Sequence, residues 1–173
     1  MSDFLDILKY ILPAGVVFAT SYFLIKSFMD NQIRLRELEV KLNGKSIITP
    51  IRLQAYERIA LLLERISPGS LVMRVQRPDY SVIQLQAALI HSIRDEFEHN
   101  LSQQVYLSAY SWELVKEAKE EMIKLVNIAA SQLIETATSN DLCTNIFALT
   151  LETKKLATSK ALDYLKKEIR ATF

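Results

Sequence analysis

Apolar positions along most of this chain recur with a helical period of three and four, after an opening stretch that is apolar on every side. Tyr10 to Ile25 reads YILPAGVVFATSYFLI, 16 residues without a charge between Lys9 and Lys26. At 1.5 Å per residue the run is ~24 Å long, short of a hydrocarbon core of ~30 Å. Lys26 can snorkel and bring Ser27, Phe28 and Met29 into a span, and Phe4, Leu5 and Ile7 can extend it the other way. The strongly apolar residues between 10 and 29 together favour insertion by about 3 to 5 kcal/mol, and Pro13, Gly15, Thr20 and Ser21 take part of that back. The pattern predicts a transmembrane anchor over 4–29. Lys26, Arg34, Arg36, Lys41 and Lys45 follow it, against Lys9 and the terminal amine before it. That asymmetry predicts a short N-terminus outside and a cytoplasmic remainder. A cleaved signal peptide fits less well, because Asp3 and Asp6 occupy its start and no A-x-A site follows.

Beyond the anchor, DNQIRLRELEVKLN (30–43) carries Ile33, Leu35, Leu38 and Leu42 and predicts a helical stalk over 30–44. Asn43-Gly44 reads as a stop, and Thr49-Pro50 as a restart with Thr49 at the N-cap. Four substantial helices are then expected, at about 50–66, 82–107, 109–137 and 141–171. Ser81, Ser108 and Asp141 stand at the last three starts. LVMRV (71–75) fits a short strand or one helical turn. Leu142, Ile146, Leu149, Thr153 and Leu156 make one stripe, which Leu162, Leu165 and Ile169 continue after a shift in phase. The fold class expected is all-α: a transmembrane helix running into a stalk, then an antiparallel bundle of about four helices over 45–173.

Composition narrows the function classes. Only three Gly and four Pro occur in 173 residues, which favours long helices with few turns. Lys+Arg is 21 against Asp+Glu 20, so no long-range field draws the chain to nucleic acid. The single cysteine, Cys143, sits in an apolar helical pattern and reads as a small buried side chain.

The densest polar cluster is Arg94, Asp95, Glu96, Glu98, His99 and Asn100. Glu96-Phe97-Glu98-His99 matches the E-x-x-H spacing that aims a carboxylate and an imidazole at one metal in di-iron bundles. Such bundles need the motif twice, and the other histidine, His91, has Ala88 three residues before it. A solvated surface with Asp95 and His99 paired at i,i+4 is the plainer reading. Arg52, Arg58, Arg65, Arg74 and Arg77 make 52–77 locally basic and able to face anionic lipid. There is no phosphate loop and no C-x-x-C, and no small-molecule substrate or cofactor is implied.

The stretches ITPIRLQAYERIALLLERISP (48–68), IRDEFEHNLSQQVYLS (93–108) and WELVKEAKEEMIKLVNIAA (112–130) resemble an uncharacterised family of small, membrane-anchored helical proteins from Bacteroidota. The resemblance covers roughly 5–135 and implies a bacterial inner-membrane location, with no activity to carry over. The resulting expectation is a non-catalytic interaction protein, an accessory subunit or scaffold tethered at the inner membrane, with a protein partner or a second copy. Its contact candidates are Arg52, Arg58, Arg65, Arg94, Asp95, Glu98 and Asn100. The alternatives are a ferritin-like metal enzyme centred on Glu96 and His99, and a lipid-surface domain using the arginines.

Overall fold

The computed structural model describes the backbone of residues 2–172 and the side chains of residues 13, 15–36, 39 and 48–172. All of its regular structure among these residues is helical: α1 (Ser2–Arg65), α2 (Pro68–Val75), α3 (Val82–His99), a 3₁₀ turn (Leu101–Val105), α4 (Ala109–Ser131), α5 (Ser139–Glu152) and α6 (Ala157–Thr172). The chain divides into two compact units, Met1–Thr49 and Pro50–Phe173. The helix of α1 is continuous through Asn43-Gly44 and Thr49-Pro50, where the sequence predicts a stop and a restart. A lone glycine costs a helix only ~1 kcal/mol, which is too little to end one by itself.

The expected transmembrane anchor is overturned. Among the described residues no helix is long and apolar enough to cross a membrane. The uncharged run stops at 16 residues, and Pro13, Gly15, Thr20, Ser21 and Tyr22 dilute the part that exists. Extension past Lys26 soon meets Asp30, Arg34 and Arg36. The single-pass topology, the membrane as partner, the outside N-terminus, the cytoplasmic remainder and the inner-membrane location all rested on that span and fall with it. The proposed extension through Phe4, Leu5 and Ile7 rests on side chains outside those described.

The second unit has one hydrophobic core. The last four turns of α1 bury Ala55, Tyr56, Ile59, Leu62 and Leu63 at helical spacing, and Ile66 follows in the turn. Pro68 opens α2 at its first position, where a missing N–H matters least. The ambiguous 71–75 segment is therefore helical, with Leu71 and Val72 buried. Ser81 and Gln84 form a capping box at the start of α3, which buries Leu85, Leu89 and Ile93 on one face. The opposite face of α3 is open, and Ile83 on it is 77% exposed.

Three expected helices end early. α3 stops at His99, where the Asn100 amide donates to the Glu96 carbonyl at 2.9 Å and the chain tightens into the 3₁₀ turn. α4 stops at Ser131 rather than near 137. The predicted 141–171 helix is two helices, broken after Glu152 at the place where the apolar stripe shifts phase. A capping box of Thr138 and Asp141 starts α5, so Asp141 lies at the third helical position rather than at the cap. α4 packs against α3, α5 and α6, while α2 packs against α3 and α5. Polar side chains stitch these seams: Gln76 to Asn140 at 2.6 Å, Gln86 to Asn127 at 2.9 Å, and Asn145 to the Ala129 carbonyl at 2.8 Å.

Leu89→Ala, at a fully buried site, is expected to destabilise the chain by about 2–5 kcal/mol in urea unfolding, and Ile83→Ala by less than ~0.5 kcal/mol. Equal effects at the two sites would contradict the one-faced packing of α3.

Candidate functional site

The strongest convergence of polar groups centres on Glu168. Leu165 and Ala161 bury the inner face of α6, and Glu168 lies one turn further along that face. Its Oε1 accepts the Tyr56 hydroxyl at 2.7 Å and the Ser108 backbone N–H at 3.2 Å. Its Oε2 accepts the Ser108 hydroxyl at 2.9 Å and the Ser111 hydroxyl. Ser108 is the N-cap of α4, as its sequence position predicts, and its Oγ accepts from the Ser111 N–H at 3.1 Å. Arg52 donates to the Tyr56 hydroxyl and to the Tyr106 carbonyl, both at 3.4 Å. The carboxylate thus joins α6 to the N-terminus of α4 and to α1, and it sits where the α4 dipole favours negative charge.

Burial pushes the Glu168 carboxyl up, but hydrogen bonds from Ser111, Tyr56 and Ser108 outweigh it and hold the group below the usual glutamate range. Burial, and then the bond to Glu168, raise the Tyr56 phenol. A carboxylate offers about four acceptor directions, and this one uses four donors. The arrangement suits a structural tie, because an acceptor so engaged has little left with which to take a substrate proton.

The residues singled out from sequence are scattered by comparison. Arg65 and Glu96 form an ion pair at 2.7 Å, and with Asp95 and His99 they line a shallow cleft. Asp95 pairs with His91 at 3.1 Å instead of with His99. Arg94, Glu98 and His99 are exposed, and Asn100 is buried as the C-cap of α3. Among the described residues no group of three or more His, Cys, Asp and Glu is placed to hold a metal ion, and Glu96 already has Arg65. Cys143 is buried, and that burial raises its thiol. Trp112 stacks on Phe97 with ring centroids 5.3 Å apart, and Lys119 covers the Phe97 ring at 4.6 Å.

Arg58 belongs to a different surface. With Ile51, Gln54, Ser102, Gln103, Val105 and Tyr106 it lines a groove between α1 and the 3₁₀ turn. Val105 is 77% exposed there, and Ile51 and Tyr106 are exposed beside it. Arg58 is the one charged residue lining the groove among those described. The sequence marked Arg58 as basic but showed nothing of Val105 and Tyr106 beside it, which come from 47 and 48 positions further along the chain.

Glu168→Ala strands three hydroxyl donors and is expected to destabilise the fold by about 1–3 kcal/mol in urea unfolding. The folded-state pKa of Glu168 lies below its unfolded value. Its contribution is therefore complete above the ordinary glutamate value of about 4.3, and is lost as pH falls through the lower folded value. Below that value the Glu168→Gln variant and the parent chain should converge in stability, having differed at pH 7. A constant difference across the whole range would show that ionisation of Glu168 contributes nothing.

No curated protein and no solved structure is found to match the chain. One family does match, over 2–172, nearly end to end. That match carries neither a Bacteroidota origin nor a membrane anchor, and it brings no activity with it. The chain belongs to a family of unknown function (DUF7935).

Proposed function

We propose that this chain is a non-catalytic interaction protein, an accessory subunit or scaffold. Its helical unit holds a segment of another protein in the groove around Arg58. The observation that carries this reading is the exposure of Val105, Ile51 and Tyr106 beside Arg58. A groove in which exposed apolar side chains stand beside a single cation matches an amphipathic segment whose acidic residue meets the guanidinium. Gln54 and Gln103 add side-chain amides that can pair with backbone groups of such a segment. The resemblance read from the sequence further suggests a Bacteroidota source. The ferritin-like alternative has no comparable support, since its carboxylate Glu96 is engaged by Arg65.

Affinity purification of the full chain tests the reading. A defined partner should be retained by Leu151→Asp, whose leucine is exposed on α5 and does not line the groove, and lost with Arg58→Glu and with Val105→Asp. All three substitutions are at exposed positions, so the unfolding midpoint should stay close to that of the parent chain. Cross-linking with mass spectrometry should then map the partner's contact to an amphipathic, acidic segment. If both groove variants keep every partner of the parent chain, or the parent chain has none, the reading fails.

A further inference from the structure

The first unit carries an unpartnered apolar helix. From 15 to 36 every described side chain of α1 is exposed, and Val17, Leu24, Phe28 and Leu35 are each more than half exposed. A helix that is apolar over so much of its surface is stable in water when something covers it.

The sequence spacing says what shape the cover has. Ala14, Ser21, Phe28, Leu35 and Leu42 recur every seventh residue, and Val17, Leu24, Asn31 and Leu38 recur three positions after the first four of them. The alternation of three and four runs from 14 to 42, about 42 Å of helix, with Ser21 and Asn31 as its polar positions. These are the a and d positions of a heptad seam, and seven of the nine are apolar. Lys26, Asp30, Arg36 and Glu37 all fall outside the seam.

Charge then selects the occupant. Arg34 falls at a g position, and Glu39 at the e position five residues later. In a parallel, in-register pair of helices that spacing sets Arg34 against the partner's Glu39, and Glu39 against the partner's Arg34. An antiparallel pair sets g against g and e against e, and makes neither match. Among the described residues, neither Arg34 nor Glu39 has an ion-pair partner within the chain. Asn31, at a d position, weakens the seam, and the in-register alignment sets it against the partner's Asn31.

We propose that residues 14–42 form a parallel, two-stranded coiled coil with a second copy of this chain. The dimer rests on this register alone and is independent of the groove at Arg58.

Sedimentation equilibrium of the full chain tests it. The parent chain should be dimeric. Arg34→Glu and Glu39→Arg should each weaken self-association about three- to tenfold, because each sets like charges face to face in its own homodimer. An equimolar mixture of the two variants should pair preferentially as heterodimers, since every contact across the seam is then of opposite sign. The double variant should return to parent-like affinity. Leu24→Cys, at a d position, should oxidise to an interchain disulfide dimer that the parent chain, with its buried Cys143, does not form. A monomeric parent chain, association indifferent to the charge swaps, or failure of Leu24→Cys to cross-link would each overturn the proposal. Loss of partners by the groove variants with the dimer intact, or the reverse, separates this proposal from the reading of the Arg58 groove.

Discussion

Glu168 is the constraint on which the second unit turns. A carboxylate on the inner face of a helix is costly unless its lone pairs are filled, and this one is filled from two other elements. Tyr56 comes from α1, Ser108 and Ser111 from the start of α4. The group therefore fixes more than a local contact. Moving α6 along its axis by one residue would turn Glu168 about 100° away from its donors and strand three hydroxyls at once. Apolar packing at Leu165 and Ala161 tolerates small adjustments, whereas a carboxylate with four acceptor bonds has one good position.

The same constraint bears on function. Buried ionisable groups are common markers of active sites, and the convergence at Glu168 has the density such a site would show. Its chemistry points elsewhere. The carboxyl is held in its ionised form, and the Tyr56, Ser108 and Ser111 hydroxyls beside it are donors that it already uses. Cys143 lies on α5, where burial raises its thiol. The exposed features are of another kind, apolar side chains around Arg58 in one unit and around the 15–36 helix in the other.

Local chemistry was legible where it acts within one helical turn. The cap residues Ser81 and Ser108 lie within four residues of the groups they satisfy, and both stand where the sequence places them. The break between α5 and α6 was also written in the chain, as a phase shift at Leu156, but a shift in phase can equally mean a long helix turning a second face to its neighbours. Packing decided that ambiguity. Glu168 escaped notice because its partners are 57 to 112 residues away in sequence. One signal was available: a glutamate in register with Ala161 and Leu165, on the face that should be apolar. The polar run from Arg94 to Asn100 drew attention by its density and by the E-x-x-H spacing of Glu96 and His99. Density in sequence places residues all round a helix, and the structure sends Arg94, Glu98 and His99 to solvent while Asn100 turns inward to end α3.

Both readings of the N-terminal helix, as a span and as a seam, begin from the same exposed apolar side chains. What separates them is where the charges fall. A bilayer demands an uncharged cylinder of about 20 residues, and here Lys26 and Asp30 interrupt it too soon. A second helix demands only a stripe, and charges are welcome on the flanks, where they choose orientation. From residue 26 to residue 41 every charge lies off the stripe, and Arg34 and Glu39 take the two flanking positions at which opposite signs attract across a parallel pair. Mean apolarity is blind to this difference. The position of each charge relative to the seven-residue period resolves it, because desolvating a charge in lipid is prohibitive while leaving it at the edge of a helical seam is almost free.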